Sequence, residues 1–325
     1  AAAASTRSRL SAASRRNSRR RTPSFDCAFV TPPMMAHRHP TGTPPVSLTA
    51  HQADDNVRLV RTTGAHVSTA GHRAEKSHAM KSNRVVLITG AAGGIGTALV
   101  DRFLANDDTV IATDLHKDVL DGWRERWPQD ARIVTVAADV CSEEDGDRVA
   151  RLVRDRFGRL DVLVNCAGYF PVLDFEAMTT AQWRRIIDVN LTGTYLVTRA
   201  LVPLMKEQGA GRIINFSSAS VYTGVAEQVA YVAAKAGVIG FTRSLAHALG
   251  DHGITVNSVT PGLTATPAVR DNFPEAFLQG QRDVRALHRD EEPEDLAGPV
   301  FFLASDDAAF ITGQIINVDG GSSKH

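Results

Sequence analysis

The sequence predicts an α/β fold: a doubly wound sheet of seven parallel strands in a single domain, preceded by an N-terminal extension. Short runs of Val, Ile and Leu alternate with helix-length segments from Arg84 onward. The runs are continuously apolar rather than alternating, as in parallel strands that are buried on both faces. A glycine-rich turn joins the first run directly to the first helical segment. Strict strand–helix alternation implies right-handed crossovers, and therefore helices on both faces of the sheet.

The hydrophobic pattern locates the elements in order along the chain. Strands are predicted at Val85–Thr89, Thr109–Thr113, Arg132–Ala137, Asp161–Asn165, Arg212–Phe216, Thr255–Val259 and Ile315–Val318. Helices are predicted at Ile95–Asn106, Lys117–Trp127, Glu143–Phe157, Thr180–Gln208, Val229–Leu249 and Pro293–Ala304.

Composition excludes several classes of protein. The 325 residues carry 36 basic and 36 acidic side chains, so neither a wholly basic nucleic-acid binder nor an acidic solvating chain is expected. No apolar run approaches the ~18 residues of a membrane span, so no membrane association is predicted. Cys27, Cys141 and Cys166 lie far apart, which excludes a disulfide framework and a zinc site made only of cysteines. No metal site is predicted.

Residues 1–80 differ from residues 81–325. They hold twelve basic and four acidic residues and sustain no apolar periodicity, so we predict a disordered extension. Ser5–Arg21 lacks acids, as a transit peptide does, and the Arg15–Arg21 cluster could contact nucleic acid. The favoured interpretation is that this segment is not part of the natural protein, which would start at Met80. A cytoplasmic location is then expected, and an organelle only if a transit peptide is present.

The glycine turn follows the first strand as Thr89–Gly96, with Gly90, Gly94 and Gly96 spaced as GxxxGxG. Glycines permit a tight turn and a close backbone approach to a pyrophosphate, while the following helix offers free N–H groups. A turn without a ligand is the alternative, but a strand before and a helix after favour a dinucleotide site.

Two acidic residues after later strands bear on the cofactor. Asp114 ends the second strand, where a carboxylate accepts hydrogen bonds from ribose hydroxyls and repels a 2′-phosphate. NAD is therefore predicted rather than NADP. Asp139, after the third strand, is placed to meet the adenine edge. For both residues, capping of the following helix is the alternative.

Tyr231 and Lys235 lie four residues apart in a predicted helix, which puts them on one face. A phenol with a pKa near ~10 is a poor acid–base group at neutral pH. We expect the Lys235 ammonium to lower the pKa of Tyr231, so that the pair moves a proton while a nicotinamide moves a hydride. The same spacing also occurs as plain aromatic packing beside a surface lysine.

From about Ser82 to Gly321 these motifs together resemble the short-chain dehydrogenase/reductase family, which has a single Rossmann domain. The resemblance includes Asn165-Cys166-Ala167-Gly168, Asp188-Val189-Asn190, Tyr231–Lys235 and Asn317–Gly321. It implies a catalytic set of Asn190, Ser218, Tyr231 and Lys235. It also implies cofactor contacts at Gly90, Gly94, Ile95, Gly96, Asp114, Asp139, Val140, Asn165, Ala167, Gly168, Tyr231, Lys235, Pro261, Gly262, Thr264 and Thr266.

Roles follow from the resemblance. Tyr231 is the expected general acid or base, and Lys235 binds the nicotinamide ribose. Ser218 polarises the substrate oxygen, with Ser217 as the adjacent alternative. Asn190 holds a water that links Lys235 to solvent.

This sequence departs from the family at two positions. Cys166 replaces an asparagine and is expected to be buried and inert. Thr264 replaces Ile or Val.

The expected function is an NAD-dependent oxidoreductase that interconverts an alcohol and a carbonyl. Leu263–Glu292 is predicted to be a mobile lid with an apolar face. Tyr169, Phe170 and Tyr222 either line the pocket or simply pack. The nearest resemblance is to pyridoxal and 1-phenylethanol dehydrogenases, and 3-oxoacyl-carrier-protein reductases share the same motifs. A non-catalytic dinucleotide sensor is the alternative from another class. The resemblance implies a homotetramer built on the Thr180–Gln208 and Val229–Leu249 helices.

Overall fold

The computed structural model describes residues 83–324, so the predictions for the 1–80 extension lie outside the described residues. Seven parallel strands form one sheet in the order β3-β2-β1-β4-β5-β6-β7. This confirms the predicted doubly wound α/β fold. The strands are β1 Val85–Thr89, β2 Thr109–Asp114, β3 Ile133–Ala137, β4 Val162–Asn165, β5 Gly211–Phe216, β6 Ile254–Pro261 and β7 Ile315–Val318.

Ten α-helices are described between residues 83 and 324. They are α1 Gly94–Leu104, α2 Lys117–Arg124, α3 Glu143–Phe157, α4 Thr180–Ile187, α5 Gly193–Gln208, α6 Ser220–Thr223, α7 Val229–Leu249, α8 Pro267–Asn272, α9 Glu275–Val284 and α10 Pro293–Leu303. The predicted Thr180–Gln208 helix is divided, because a π-helical turn at Asp188–Thr192 separates α4 from α5. The predicted lid contains α8 and α9.

Helix α3 shows how local sequence sets the bounds of an element. The Ser142 side chain accepts a hydrogen bond from Asp145 N at its start, and three acidic residues occupy its first turn. Both features satisfy or complement the free N–H groups and the positive end of the helix dipole. The helix ends at Gly158, whose φ of 66° is left-handed and therefore favours glycine.

Alternate residues of each strand feed two separate cores, one on each face of the sheet. Val86 and Ile88 of β1 pack with α1, α2 and α10, whereas Val85 and Leu87 pack with α3, α5 and α7. Because both faces are covered, the central strands are buried along their whole length. This burial accounts for their continuously apolar sequences. Within residues 83–324, no helix combines the length and the hydropathy that a membrane crossing needs.

The strand order reverses direction between β1 and β4, which lie side by side although β2 and β3 intervene in the sequence. In open α/β sheets, ligands bind at such a switch point, outside the carboxyl ends of the strands. The loops that follow β1, β4, β5 and β6 meet along this edge, and all of the predicted catalytic residues lie on or after these strands.

Candidate active site

The glycine turn lies at the switch point in a close-packed form. Gly90 has a φ of +66°, and a Cβ added there would lie 2.8 Å from Ala167 Cα, in the loop that follows β4. A Cβ on Gly96 would lie 2.2 Å from Gly90 O. Side chains at either position would therefore push the turn apart, so only glycine permits this compact turn at the start of α1.

The two other predicted residues of this turn contribute packing. A Cβ on Gly94 would lie 2.7 Å from Thr266 Cγ2, so the turn after β6 rests directly on the turn after β1. Ile95 is half-buried and packs against the core beneath α1. Both observations place the N-terminus of α1 against the turn after β6 and against the core, at the carboxyl edge of the sheet.

Asp114 lies at the end of β2, beside the glycine turn. Its Oδ2 accepts a hydrogen bond from Ala92 N at 3.0 Å, and its Oδ1 accepts one from Leu115 N at 2.8 Å. The alternative role of Asp114 as a helix cap is wrong, because α2 begins after His116. The Asp114 carboxylate is therefore hydrogen-bonded to the glycine turn, and from this position it can also accept a hydrogen bond from a sugar hydroxyl.

Asp139 and Val140 follow β3. Asp139 Oδ1 accepts from Cys141 N at 2.8 Å, and the residue that caps α3 is Ser142, so the capping alternative is wrong here too. Val140 contacts the start of α5, since a Cβ on Gly193 would lie 2.8 Å from Val140 Cγ2. A contact of either residue with adenine stays a prediction.

The loop after β4 is held to β1. Thr89 Oγ1 accepts hydrogen bonds from the backbone N of Cys166 and of Ala167, both at 3.1 Å. The Asn165 side chain points instead into the interior, where its Nδ2 donates to Thr198 Oγ1 and to Asn215 Oδ1. Asn165 therefore steadies the sheet beside the site. A direct cofactor contact of its side chain stays a prediction.

Cys166 behaves as a structural thiol. The residue is half-buried against the core rather than buried, and desolvation raises the pKa of its thiol to about 12, so the thiol stays protonated at neutral pH. Its inertness stays a prediction.

Tyr231, Lys235 and Ser218 come together where β5 ends and α7 begins. The Ser218 side chain lies close enough to the Tyr231 phenol to lower its pKa. Lys235 Nζ lies 5.6 Å from the centroid of the Tyr231 ring and donates a 2.8 Å hydrogen bond to Phe216 O. Ser217, the alternative to Ser218, is buried and donates to Lys235 O at 2.8 Å. The Ser217 hydroxyl is thus engaged in a hydrogen bond to helix α7, and Ser218 is the serine beside the phenol.

The pKa values of this pair differ from the expectation. Burial raises the pKa of Tyr231 to about 12, although the neighbouring Ser218 side chain lowers it. Burial lowers the pKa of Lys235 to about 8. The prediction that Lys235 leaves the phenol with a lowered pKa is wrong for this structure. Desolvation outweighs every other influence on the phenol, and the Lys235 ammonium donates to Phe216 O rather than to the phenol oxygen.

Asn190 lies in the π-helical turn and is completely buried. Its Nδ2 donates to Tyr169 O at 2.7 Å and to Ile186 O at 2.9 Å, and its Oδ1 accepts from Tyr169 N at 3.1 Å. A Cβ on Gly168 would lie 3.3 Å from Asn190 Oδ1 and 3.8 Å from Lys235 Nζ. Asn190 therefore shapes the β4 loop next to Lys235. Its role in holding a water stays a prediction.

The turn after β6 closes the other side of the site. Pro261 O accepts from Ala219 N at 2.8 Å, which joins this turn to the Ser218 segment. The Thr264 hydroxyl donates to Glu291 Oε1 at 2.8 Å, so it is already engaged. Thr266 caps α8 by accepting from Val269 N. Gly262 donates its N–H to Glu291 Oε2 at 3.0 Å.

The predicted pocket residues separate into two groups. Phe170 lies beside Tyr231 with ring centroids 6.2 Å apart, and Tyr169 and Phe170 are each 43% exposed. Tyr222 instead lines a different cavity of about 470 Å³, together with Arg243, His247 and residues 312–315. In the lid, the Phe273 and Phe277 rings stack with centroids 4.9 Å apart.

Sequence reasoning missed two residues of this region. Ser220 Oγ donates to Ser218 Oγ at 2.9 Å, and Glu291 binds the turn after β6. No motif signals either one: serines near a strand end and acids near a helix start are common. In the part of the chain that the structure describes, no cluster of His, Cys, Asp or Glu could hold a metal ion.

A glycine turn at the switch point, next to a tyrosine that shares a helix face with a lysine, is the arrangement of an oxidoreductase built on a dinucleotide-binding sheet. Residues 90–323 match the family described as enoyl-(acyl carrier protein) reductase. The chain belongs to the short-chain dehydrogenase/reductase family, whose members act on alcohol and carbonyl groups.

The match to individual relatives covers almost the whole length of each relative. The (2S)-[(R)-hydroxy(phenyl)methyl]succinyl-CoA dehydrogenase subunit BbsD of Thauera aromatica is 39% identical over 242 residues, 74% of this chain and 97% of that protein. A 3-oxoacyl-(acyl-carrier-protein) reductase of Synechocystis sp. is 39% identical over 241 residues, 73% of this chain and 96% of that protein. The crystal structure of gox2181 is similar with a TM-score of 0.71 at 34% identity, covering 74% of this chain and 96% of that chain. The nearer resemblance to pyridoxal and 1-phenylethanol dehydrogenases stays a prediction.

Proposed function

We propose that this protein is an NAD-dependent dehydrogenase that interconverts a secondary alcohol and a ketone, with Tyr231 passing the proton. The observation that carries the proposal is Lys235 Nζ 5.6 Å from the centre of the Tyr231 ring, with Ser218 beside the same phenol, at the carboxyl edge of the sheet. Two hydroxyls that converge on one point can bind one substrate oxygen, and one of them can exchange a proton with it.

The residues at the switch point fit a dinucleotide. The spaces that Cβ atoms would fill at Gly90 and Gly96 are occupied by neighbouring backbone, so the turn is compact and presents N–H groups to a pyrophosphate. Asp114 offers carboxylate oxygens to a ribose, and the turn from Pro261 to Thr266 lies opposite, against Gly94. When bound, the nicotinamide supplies or accepts the hydride.

The chain's own residues handle the proton. In carbonyl reduction, Tyr231 Oη donates its proton to the substrate oxygen while the Ser218 hydroxyl polarises that oxygen. Burial keeps the phenol protonated, which suits this donor role. Lys235, whose pKa is near 8, is the group that replaces the proton, and Asn190 holds the loop beside it. In alcohol oxidation the same proton moves in the reverse direction.

The preference for NAD over NADP rests on Asp114. Its carboxylate lies at the end of β2, hydrogen-bonded to the glycine turn, where the 2′-phosphate of NADP would meet a like charge. The nearby Lys117 ammonium is paired with Asp121 at 2.6 Å and is therefore engaged elsewhere.

The substrate class we propose is an aryl-bearing secondary alcohol. The Phe170 ring lies 6.2 Å from that of Tyr231 and is partly exposed, so it offers an aromatic face next to the reacting oxygen. The Thauera relative is named for a substrate that carries a hydroxy(phenyl)methyl group, which supports this choice. The 3-oxoacyl reductases among the relatives make a thioester of a 3-oxo acid the second candidate.

A homotetramer is proposed from the exposed surfaces of α5 and α7. On α5, Tyr195 is 43% exposed, and its ring meets Phe241 of α7 edge-on at 6.4 Å. On α7, the neighbouring surface carries the small exposed residues Ala233, Ala236 and Gly240, which permit a close approach of another helix. Light scattering of the purified protein would test the proposed tetramer.

The deciding experiment compares wild-type protein with Tyr231→Phe and with the matched control Tyr195→Phe. NADH and NADPH binding are measured by fluorescence, and turnover is measured with 1-phenylethanol-type, aliphatic and 3-hydroxyacyl-thioester alcohols. We expect NADH to bind more tightly than NADPH, and Tyr231→Phe to lose at least about 10³-fold in kcat while still binding NADH. Tyr195→Phe should retain full activity.

Unchanged turnover in Tyr231→Phe would refute the chemistry, and tighter binding of NADPH would refute the cofactor preference. Tight NADH binding without turnover of any alcohol would favour the sensor interpretation.

A further inference from the structure

Glu291 is a buried acid that the proposed chemistry does not use. It lies just before α10, and only 4% of the residue is exposed. A carboxylate in such a position is costly unless partners satisfy it. Its partners therefore indicate what it is for.

Both carboxylate oxygens bind the turn after β6. Gly262 N donates to Oε2 at 3.0 Å, and Thr264 Oγ1 donates to Oε1 at 2.8 Å. The backbone joins the same two segments, because Ala265 N donates to Glu291 O at 2.7 Å. A Cβ on Gly262 would lie 2.7 Å from Oε2, so the carboxylate is packed directly against that glycine. Glu291 therefore spans the turn from one end to the other.

The charged groups around Glu291 belong to three segments. Arg285 lies 3.9 Å away, is 3% exposed, and donates to Leu263 O at 2.7 Å, inside the same turn. Asp319, after β7, repels the Glu291 carboxylate, and Arg289 is engaged with Asp295. Burial raises the pKa of Glu291 to about 7, while Thr264, Arg285 and Gly262 N lower it.

We propose that Glu291, with Arg285, is a positioning residue that holds the Gly262–Thr264 turn in the shape that binds the nicotinamide end of the cofactor, and that the charge on its carboxylate sets how firmly the turn is held. This rests on the proposed function, because the turn matters only if a dinucleotide binds there. Glu291 touches no reacting atom and acts through the turn.

Ionisation changes how firmly the turn is held. The carboxylate accepts two charge-assisted hydrogen bonds and attracts Arg285, whereas the protonated acid accepts weaker ones. Cofactor affinity should therefore rise by about fivefold as the pH increases from 6 to 8, since charge-assisted bonds are roughly twice as strong as neutral ones. Lys235 also titrates in this range, so the comparison between variants, rather than the wild-type profile alone, isolates Glu291.

The test is a fluorescence titration of NADH against the full-length protein from pH 6 to pH 8. Glu291→Gln keeps an acceptor for Gly262 N and an amide for Thr264 Oγ1, but it cannot ionise. It should bind NADH within about threefold of wild type at pH 7 and lose most of the wild-type pH dependence. Glu291→Leu loses both bonds and should weaken binding at least about tenfold, raising KM for NAD more than it lowers kcat. Glu294→Gln, an exposed acid of α10, should match wild type.

Melting curves show whether each variant is folded, and the conservative Glu291→Gln keeps the test decisive if Glu291→Leu unfolds. A Glu291→Gln profile that overlays the wild-type profile would overturn the role of ionisation, and folded Glu291→Leu with wild-type affinity would overturn the positioning role. Both results leave the proposed function intact. If wild-type protein bound no dinucleotide at any pH, the proposed function would fail and this role with it.

Discussion

Two helical glycines offer a direct test of the close packing at the glycine turn. Gly96, near the start of α1, and Gly122, inside α2, both have helical backbones, so alanine suits either one by intrinsic propensity. Their surroundings differ completely. A Cβ on Gly122 would meet nothing within 4 Å, whereas a Cβ on Gly96 would lie 2.2 Å from Gly90 O and 2.7 Å from Ala91 Cα.

The magnitudes follow from these distances. Gly122→Ala should stabilise the protein by about 0.5–1 kcal/mol, because alanine loses less backbone entropy in a helix. Gly96→Ala gains the same term, but the Gly90 carbonyl must move by about 1 Å to reach ordinary contact distance, a strain of about 1–3 kcal/mol. The Gly96 variant should therefore be about 1–3 kcal/mol less stable than the Gly122 variant. Its displaced turn should weaken NADH binding at least about tenfold, or about 1.4 kcal/mol.

Urea unfolding gives the stability difference, and NADH fluorescence gives the affinity. The reasoning would be refuted if Gly96→Ala were as stable as Gly122→Ala and bound NADH within twofold of wild type. Loss of affinity in Gly122→Ala would equally contradict it, since that position lies away from the cradle.

Two further predictions concern the proton-transfer residues. Ser220→Ala removes the hydrogen bond that Ser220 Oγ donates to Ser218 Oγ, so kcat should fall about fivefold while KM for NAD stays unchanged. Ser220→Thr should restore kcat. A kcat equal to wild type in the alanine variant would show that Ser218 needs no such support. Because the pKa of Lys235 is lowered to about 8, the site holds one proton fewer at pH 9 than at pH 7. Over this range kcat/KM for alcohol oxidation should therefore rise, and kcat/KM for carbonyl reduction should fall. Initial rates measured in both directions test this prediction, and parallel pH profiles would contradict it.

Much of the fold could be predicted because its signals are local. Each of the seven strands begins within two residues of its predicted first residue, since buried parallel strands must be apolar throughout. Helices α3 and α7 have their predicted bounds. The division of Thr180–Gln208 was missed, because a π-helical turn leaves the apolar pattern on both sides intact. Its consequence is to direct the Asn190 side chain to Tyr169 and Ile186.

The electrostatics of the site, unlike the bounds of the strands and helices, depend on contacts between distant segments. The spacing of Tyr231 and Lys235 predicts one helix face, and they do share it, but the sign of the pKa shift on Tyr231 depends on burial by residues from other segments. The role of Glu291 depends on contacts with Gly262 and Thr264, which are 29 and 27 residues away in the chain. No window of sequence contains both partners of such a contact.

The order of the apolar runs and the glycine turn were sufficient to predict the fold class. With the Tyr–Lys spacing and the family resemblance, they led to the proposed nicotinamide cofactor and the proposed proton-transferring residue. Each of these is encoded within a few consecutive residues, through periodicity or backbone freedom. The folded chain alone showed that Ser217 donates to helix α7, which leaves Ser218, the serine already preferred, beside the phenol. It alone also showed that Asp114 binds the glycine turn and that Glu291 binds the turn opposite. Side-chain contacts across a parallel sheet depend on the packing of whole helices and strands, and desolvation depends on everything that surrounds a group.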